Sequence, residues 1–230
     1  MRVIRKSAER GGGGTAWLDS RHTFSFANYF DRDNLGFRTL RVINEDWIAP
    51  GRGFGAHPHR DMEILSYPIE GALQHRDSEG NVSTLRPGRV QLMRAGSGIV
   101  HSEMNPLVDA KTHLLQIWIE PDEQGLAPGY QEADLDLTPG VPVTVASKGG
   151  LAGGLDIHQD VTITATRLGA GDDLIHPLLP DRYAWLQVVS GSGRLLDFSV
   201  EAGDGVSVSG ETGLAMQSQV GMEVLTFDLA

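Results

Sequence analysis

Short apolar and β-branched runs alternate with turn-forming residues through most of the first half of the chain. The runs at 62–69, 82–85, 89–93, 99–104 and 113–119 are separated by Glu70 and Gly71, by Ser78 to Asn81, by Pro87 and Gly88, by Gly96 to Gly98, and by Asn105 and Pro106. Each run has the length of a strand, and each break carries residues that set turn geometry. No stretch shows the 3.6-residue periodicity of a long amphipathic helix. Strands this short and this regularly spaced predict an all-β chain built as an antiparallel sandwich or barrel.

Glycine reinforces that picture, with 29 residues where average usage gives roughly 16, an excess that turns absorb. The run Gly11 to Gly14 reads as a flexible loop. It lacks the Lys-Ser/Thr pair and the helix signal that a phosphate cradle requires. Residues 120–142 concentrate proline, glycine and acids, the composition of a linker. On either side the pattern repeats weakly: ILSYPIEG at 64–71 resembles WLQVVSG at 185–191, Pro87-Gly88 matches Ala202-Gly203, and LLQIWIEP matches the terminal EVLTFDLA. The chain therefore reads as two copies of one β fold, divided into residues 1–131 and 132–230.

Charge and cysteine content narrow the chemistry. A formal net charge of -11 argues against direct nucleic-acid binding, which needs lysine and arginine to neutralise phosphates. No run approaches the roughly 18 apolar residues of a membrane span. The sequence has no cysteine, so thiolate ligands and a cysteine nucleophile are excluded. With no apolar leader in the first residues, a reducing cytoplasm is the expected location.

The chemistry resides in two short motifs, His57-Pro58-His59 and His101-Ser102-Glu103. Residues two apart on a strand share a face, so each motif aims both end residues at one point. Together they offer three imidazoles and a carboxylate, a donor set that divalent transition metals accept. Grouping these ionisable side chains inside a barrel would cost several kcal/mol without a compensating ion. Aligning the two copies on Gly98 and Gly213 sets His101 against Met216 and Glu103 against Ser218, so the second copy lacks these ligands. Its nearby imidazole, His176, makes no site alone. His75, His113 and His158 read as hydrogen-bonded structural groups. Asp61 and Glu63 share the parity of His57 and His59 and are expected to orient the imidazoles. His22, Phe24, Phe26 and Tyr29 either line the cavity mouth or pack as core, the core being preferred.

Gly51, His57, His59, Glu63 and Gly71 resemble the first cupin motif, and Gly88, Gly96, His101 and Asn105 the second. Three departures from the usual cupin pattern occur: the His59 to Glu63 spacing, Arg94 in place of proline, and an extra residue before His101. With the strings WLDSRHTFSFANYFD, FGAHPHRDMEILSYPIEG and GSGIVHSEMNP, these features resemble the pirin family, strongly from about Arg5 to Pro121 and more weakly to the end. The resemblance implies a bicupin of two antiparallel, jelly-roll-type barrels packed face to face. It also implies one metal per chain, held by His57, His59, His101 and Glu103, with Glu103 the catalytic carboxylate. Iron(II) is the leading expectation, with manganese, cobalt, nickel, copper and zinc as alternatives. Four ligands leave two octahedral positions open for substrate and dioxygen, whereas tetrahedral zinc would be saturated and structural. The implied function is a dioxygenase that cleaves a flavonol such as quercetin, or a similar phenolic enol. The alternative is a non-enzymatic metal-binding regulator that acts through a protein partner.

Overall fold

The computed structural model describes residues 1–230 as two compact units whose regular secondary structure is almost entirely strand. The first unit comprises Gly11–Leu135 with Leu155–Gln159, and the second comprises Met1–Arg10, Asp136–Gly154 and Asp160–Ala230. The initial residues belong to the second unit because strand Arg2–Arg5 pairs antiparallel with Gly205–Ser209.

In the first unit, a seven-stranded antiparallel sheet runs in the order Gly129–Asp134, Arg89–Arg94, Glu63–Glu70, Thr112–Ile119, Leu40–Ile48, Leu18–His22 and Gly11–Gly14. A four-stranded sheet, ordered Gly53–His59, Ile99–Met104, Leu73–Asp77 and Val82–Leu85, faces it. Apolar side chains fill part of the space between them: Ile48, Leu73, Leu85 and Leu114 form one cluster, and Ile64, Met93, Ala95 and Ile99 another. The rest is a cavity. This is the layered arrangement of a cupin, in which two sheets close around their inward-facing residues.

The second unit repeats the plan with a sheet ordered Arg2–Arg5, Gly205–Ser209, Tyr183–Leu195, Met222–Leu229, Val161–Leu168 and Val143–Ser147. Its interior is apolar where the first unit's is polar. Met216, set against His101 by the repeat, is fully buried among Leu214, Leu186 and Val224. The Ser218 hydroxyl donates to the Ser192 carbonyl at 2.7 Å.

Two expectations are corrected. Gly11–Gly14 is not a loop but an edge strand, paired residue for residue with Leu18–His22. Glycine carries no side-chain periodicity, so strand character there was invisible. Residues 120–142 are not wholly linker either, because Gly129–Asp134 pairs with Arg89–Arg94. Arg89 of that pair donates to Asp134 at 2.7 Å and to Glu132 at 3.3 Å, so two of the acids that suggested a solvated linker are cross-strand partners.

Candidate metal centre

Strand pairing brings the two histidine motifs together. His101 lies directly across from His57, and Ile99 across from His59. Between His101 and Glu103 the register slips, so that Glu103 pairs with Phe54. Phe54 and His57 are three apart and would face opposite ways on a regular strand. The bulge puts both on the cavity side, where both line its wall. At Gly53, next to the bulge, an added Cβ would stand 2.2 Å from the Glu103 carbonyl oxygen, so only glycine permits this close crossing.

The three imidazoles converge, with ring centroids 4.5 to 4.8 Å apart and a ligand atom from each within 4.8 Å of the others. His57 Nδ1 lies 2.7 Å from the Gly55 carbonyl oxygen. A carbonyl only accepts, so Nδ1 carries the proton and Nε2 presents its lone pair. His101 is 2% exposed, and neither of its ring nitrogens has a hydrogen-bond partner. An imidazole so placed is costly unless something binds it. This orphaned pair of nitrogens, beside two further imidazoles, fits a bound metal ion.

Glu103 is fully buried and reaches the cavity wall. Its Oε1 lies 3.0 Å from the Ser66 hydroxyl and accepts from Gln91 Nε2 at 3.3 Å, and its Oε2 accepts from Gln116 Nε2 at 2.5 Å. With two donors on Oε1 and one on Oε2, the carboxylate keeps a free lone pair on Oε2. Its carboxylate groups within 4.8 Å with His101 and His75, and not with His57 and His59. His75 has no lone pair to offer, because Nε2 pairs with Asp77 at 3.0 Å and Nδ1 faces the Gln91 amide nitrogen at 3.4 Å. Burial raises the Asp77 pKa, but the hydrogen bonds from His75 and Asn81 outweigh it and keep the value low.

Burial dominates the titration of the site. It lowers His59 to about 4, helped by charge on His57, and lowers His101 to about 3, helped by His57 and His59. It raises Glu103 to about 7 against the hydrogen bonds from Ser66 and Gln116, with Asp46 adding to the rise. The signs oppose. Neutral His101 is retained in the folded state while the unfolded chain takes up a proton below its ordinary value near 6.5, so this group destabilises the metal-free fold as pH falls toward 3. Glu103 keeps its proton in the folded state, so its contribution is present below about 4.5 and lost as pH rises through 7. In denaturant titrations of metal-free protein, wild type is expected to lose stability relative to His101→Leu as pH falls from 6.5 to 4. Relative to Glu103→Gln it is expected to lose stability as pH rises from 4.5 to 7. Parallel profiles in either comparison would contradict the assignment of these shifts.

Asp61 and Glu63 do not orient the imidazoles. The strand breaks after His59, and Asp61, in a left-handed conformation, accepts from the Gly125 amide at 2.6 Å. Glu63 starts a strand in the other sheet, where it pairs with Arg94 at 3.2 Å and accepts from the His158 amide at 3.3 Å. His113 pairs with Glu45 at 2.8 Å and stacks on Trp47. Phe24 packs in the core, whereas His22, Phe26 and Tyr29 line the cavity. Sequence reasoning missed Ser66, Gln91 and Gln116 around Glu103, and Asn44 and Asp46 on the opposite wall. The signal was present: single glutamines interrupt the apolar strands RVQLMR and THLLQIWI, and three polar residues in a row interrupt LRVINEDWI.

The cavity that these groups line is about 620 Å³, large enough for a three-ring aromatic molecule, and Phe26, Phe54 and Trp118 supply flat apolar faces. Trp118 stands edge-on to His59, ring centroids 4.9 Å apart, and edge-on to Phe26 at 5.4 Å. The second unit contains no comparable group of three metal-ligating side chains.

Comparison with known proteins agrees with this geometry. The pirin family profile matches residues 3–119, and the profile of the quercetinase C-terminal cupin domain matches residues 144–229. The quercetin 2,3-dioxygenase of Escherichia coli strain K12 is 42% identical over 229 residues, spanning 100% of this chain and 99% of that protein. The bacterial pirin YhhW of Escherichia coli in complex with nickel(II) superposes with a TM-score of 0.95 at 41% identity, covering 100% of this chain and 99% of that one. At 18% identity, a quercetin 2,3-dioxygenase of Acinetobacter baumannii shares the fold, with a TM-score of 0.76 over 95% of this chain and 84% of that one. With two cupin units, an imidazole cluster in the first alone and matching relatives along its whole length, the chain belongs to the pirin family.

Proposed function

We propose that the chain is a metal-dependent dioxygenase that opens the central ring of a flavonol such as quercetin, with His57, His59, His101 and Glu103 holding the ion. The carrying observation is His101, buried with both ring nitrogens unpartnered, beside His57 and His59 on the wall of an aromatic-lined cavity. A divalent transition metal bound there would acidify the enol hydroxyl of the substrate and bring dioxygen within reach of the electron-rich ring.

The protein's own groups supply the rest. Glu103, buried at the cavity wall, can take the enol proton and return it as the general base. Ser66, Gln91 and Gln116 fix its carboxyl group, so the base is positioned before substrate arrives. Trp118, Phe26 and Phe54 hold the planar rings and displace water, which limits competing reactions. The names of the relatives support this reading over a purely regulatory one.

Chelator-stripped protein reloaded separately with iron(II), manganese, cobalt, nickel, copper or zinc provides the test. Oxygen uptake with quercetin and release of carbon monoxide are expected with the redox-active ions and to be weakest with zinc, which has no redox chemistry. A fully loaded, folded protein that takes up no oxygen with any flavonol would overturn the proposal.

A further inference from the structure

The cavity wall across from the histidines is polar in an ordered way. Ser20 and His22 alternate along one strand, and Asn44 and Asp46 along the next, in direct register: Ser20 opposite Asp46 and His22 opposite Asn44. All four line the cavity, and all are buried. The Ser20 hydroxyl donates to Asp46 Oδ1 at 2.5 Å, and His22 Nδ1 donates to Asn44 Oδ1 at 2.8 Å. The Ser20–Asp46 pair leaves Asp46 Oδ2 without a partner, and the His22–Asn44 pair leaves Asn44 Nδ2 and His22 Nε2; these three atoms bond to nothing in the protein. None is sealed off from the cavity as the His101 nitrogens are. His22 Nε2, whose ring partner carries the proton, is an acceptor, so the wall reads acceptor, donor, acceptor.

A wall built only for stability would be apolar, as in the second unit, because buried carboxyl and imidazole groups cost more than the aliphatic side chains they replace. The edge strand Gly11–Gly14 explains how these atoms stay open. Gly13 lines the same cavity, and a Cβ there would stand 3.3 Å from His22 Nε2. Any larger side chain would cover that nitrogen.

We propose that His22, Asn44 and Asp46 read the hydroxyl pattern of the substrate, with Asp46 and His22 accepting from hydroxyl groups on a planar polyphenol and Asn44 donating to an oxygen beside them. The inference rests on the dioxygenase reading for its substrate class. It adds the specificity determinants: free hydroxyl groups on the ring remote from the reacting enol are required for tight binding. Burial raises Asp46 to about 6, against the hydrogen bond from Ser20, in keeping with a carboxyl group held for a partner it lacks.

Equilibrium binding to metal-loaded protein under nitrogen, followed by quenching of tryptophan fluorescence, separates recognition from turnover. Quercetin is expected to bind wild type about tenfold or more tightly than a quercetin methylated at its ring hydroxyls, as the loss of paired hydrogen bonds to buried groups predicts. Asp46→Asn and His22→Phe are each expected to weaken quercetin about tenfold and to leave the methylated ligand unchanged. Equal affinity of wild type for the two ligands would overturn the proposal without use of any variant. So would folded, metal-loaded variants that bind quercetin as wild type does. If wild type binds no flavonol at all, the dioxygenase reading falls and takes this inference with it; failure of discrimination alone leaves that reading standing.

Discussion

Replacing His101 by leucine is expected to abolish metal binding while leaving the metal-free protein at least as stable as wild type near neutral pH. The two halves of that result have one cause. Loss of a group that merely orients a ligand already costs about 10- to 100-fold in metal affinity, and loss of a ligand at the meeting point of His57 and His59 costs more. In the metal-free protein, by contrast, His101 is a liability, with two buried nitrogens that bond to nothing. Leucine has similar bulk and no polar atoms to strand. Metal content by mass spectrometry and denaturation midpoints of stripped protein test both halves. Retained stoichiometric metal, or a stripped variant markedly less stable than stripped wild type, would show that His101 is a structural histidine.

Glu103→Gln is expected to lower the turnover number by about two orders of magnitude or more, the range for removing a general base, with metal binding only partly reduced. The substitution nearly preserves shape, but the hydrogen bonding around it cannot be preserved. Oε2 of Glu103 faces an amide nitrogen of Gln116, and Oε1 faces one of Gln91. Either orientation of the new amide sets donor against donor, so a neighbouring glutamine must turn. Gln91 is the more tightly held of the two, because its Oε1 accepts from the Tyr130 hydroxyl at 3.0 Å and its Nε2 also donates to the Ser66 hydroxyl at 3.1 Å. Steady-state kinetics on metal-normalised protein decides the matter. Unaltered turnover in the E103Q variant would remove the carboxylate from proton transfer.

The fold was legible because strand length and turn chemistry are local properties. Runs such as 62–69 and 113–119 correspond to strands Glu63–Glu70 and Thr112–Ile119 within a residue. The convergence of the two histidine motifs was legible because same-face spacing on a strand survives any tertiary arrangement. What could not be read was set by registration between strands. Parity assigned Glu63 to the histidine face, but a left-handed Asp61 ends that strand and sends Glu63 into the opposite sheet. Asn44 and Asp46 gave a polar interruption in an apolar strand, yet nothing local says that they look across a cavity at His57. Gly11–Gly14 was illegible for the opposite reason: without side chains there is no pattern to read.

The pairing of Arg2–Arg5 with Gly205–Ser209 has a consequence for the timing of biosynthesis. The Ser207 hydroxyl bonds to the carbonyl of Val3, 204 residues earlier in the chain. At about 5–20 residues per second, the amino terminus leaves the ribosome about 10–40 s before its partner strand is made. Every segment of the unit that carries the histidines has been synthesised once residue 159 is complete. That unit can therefore fold on the nascent chain while Arg2–Arg5 still waits for Gly205–Ser209 to be translated.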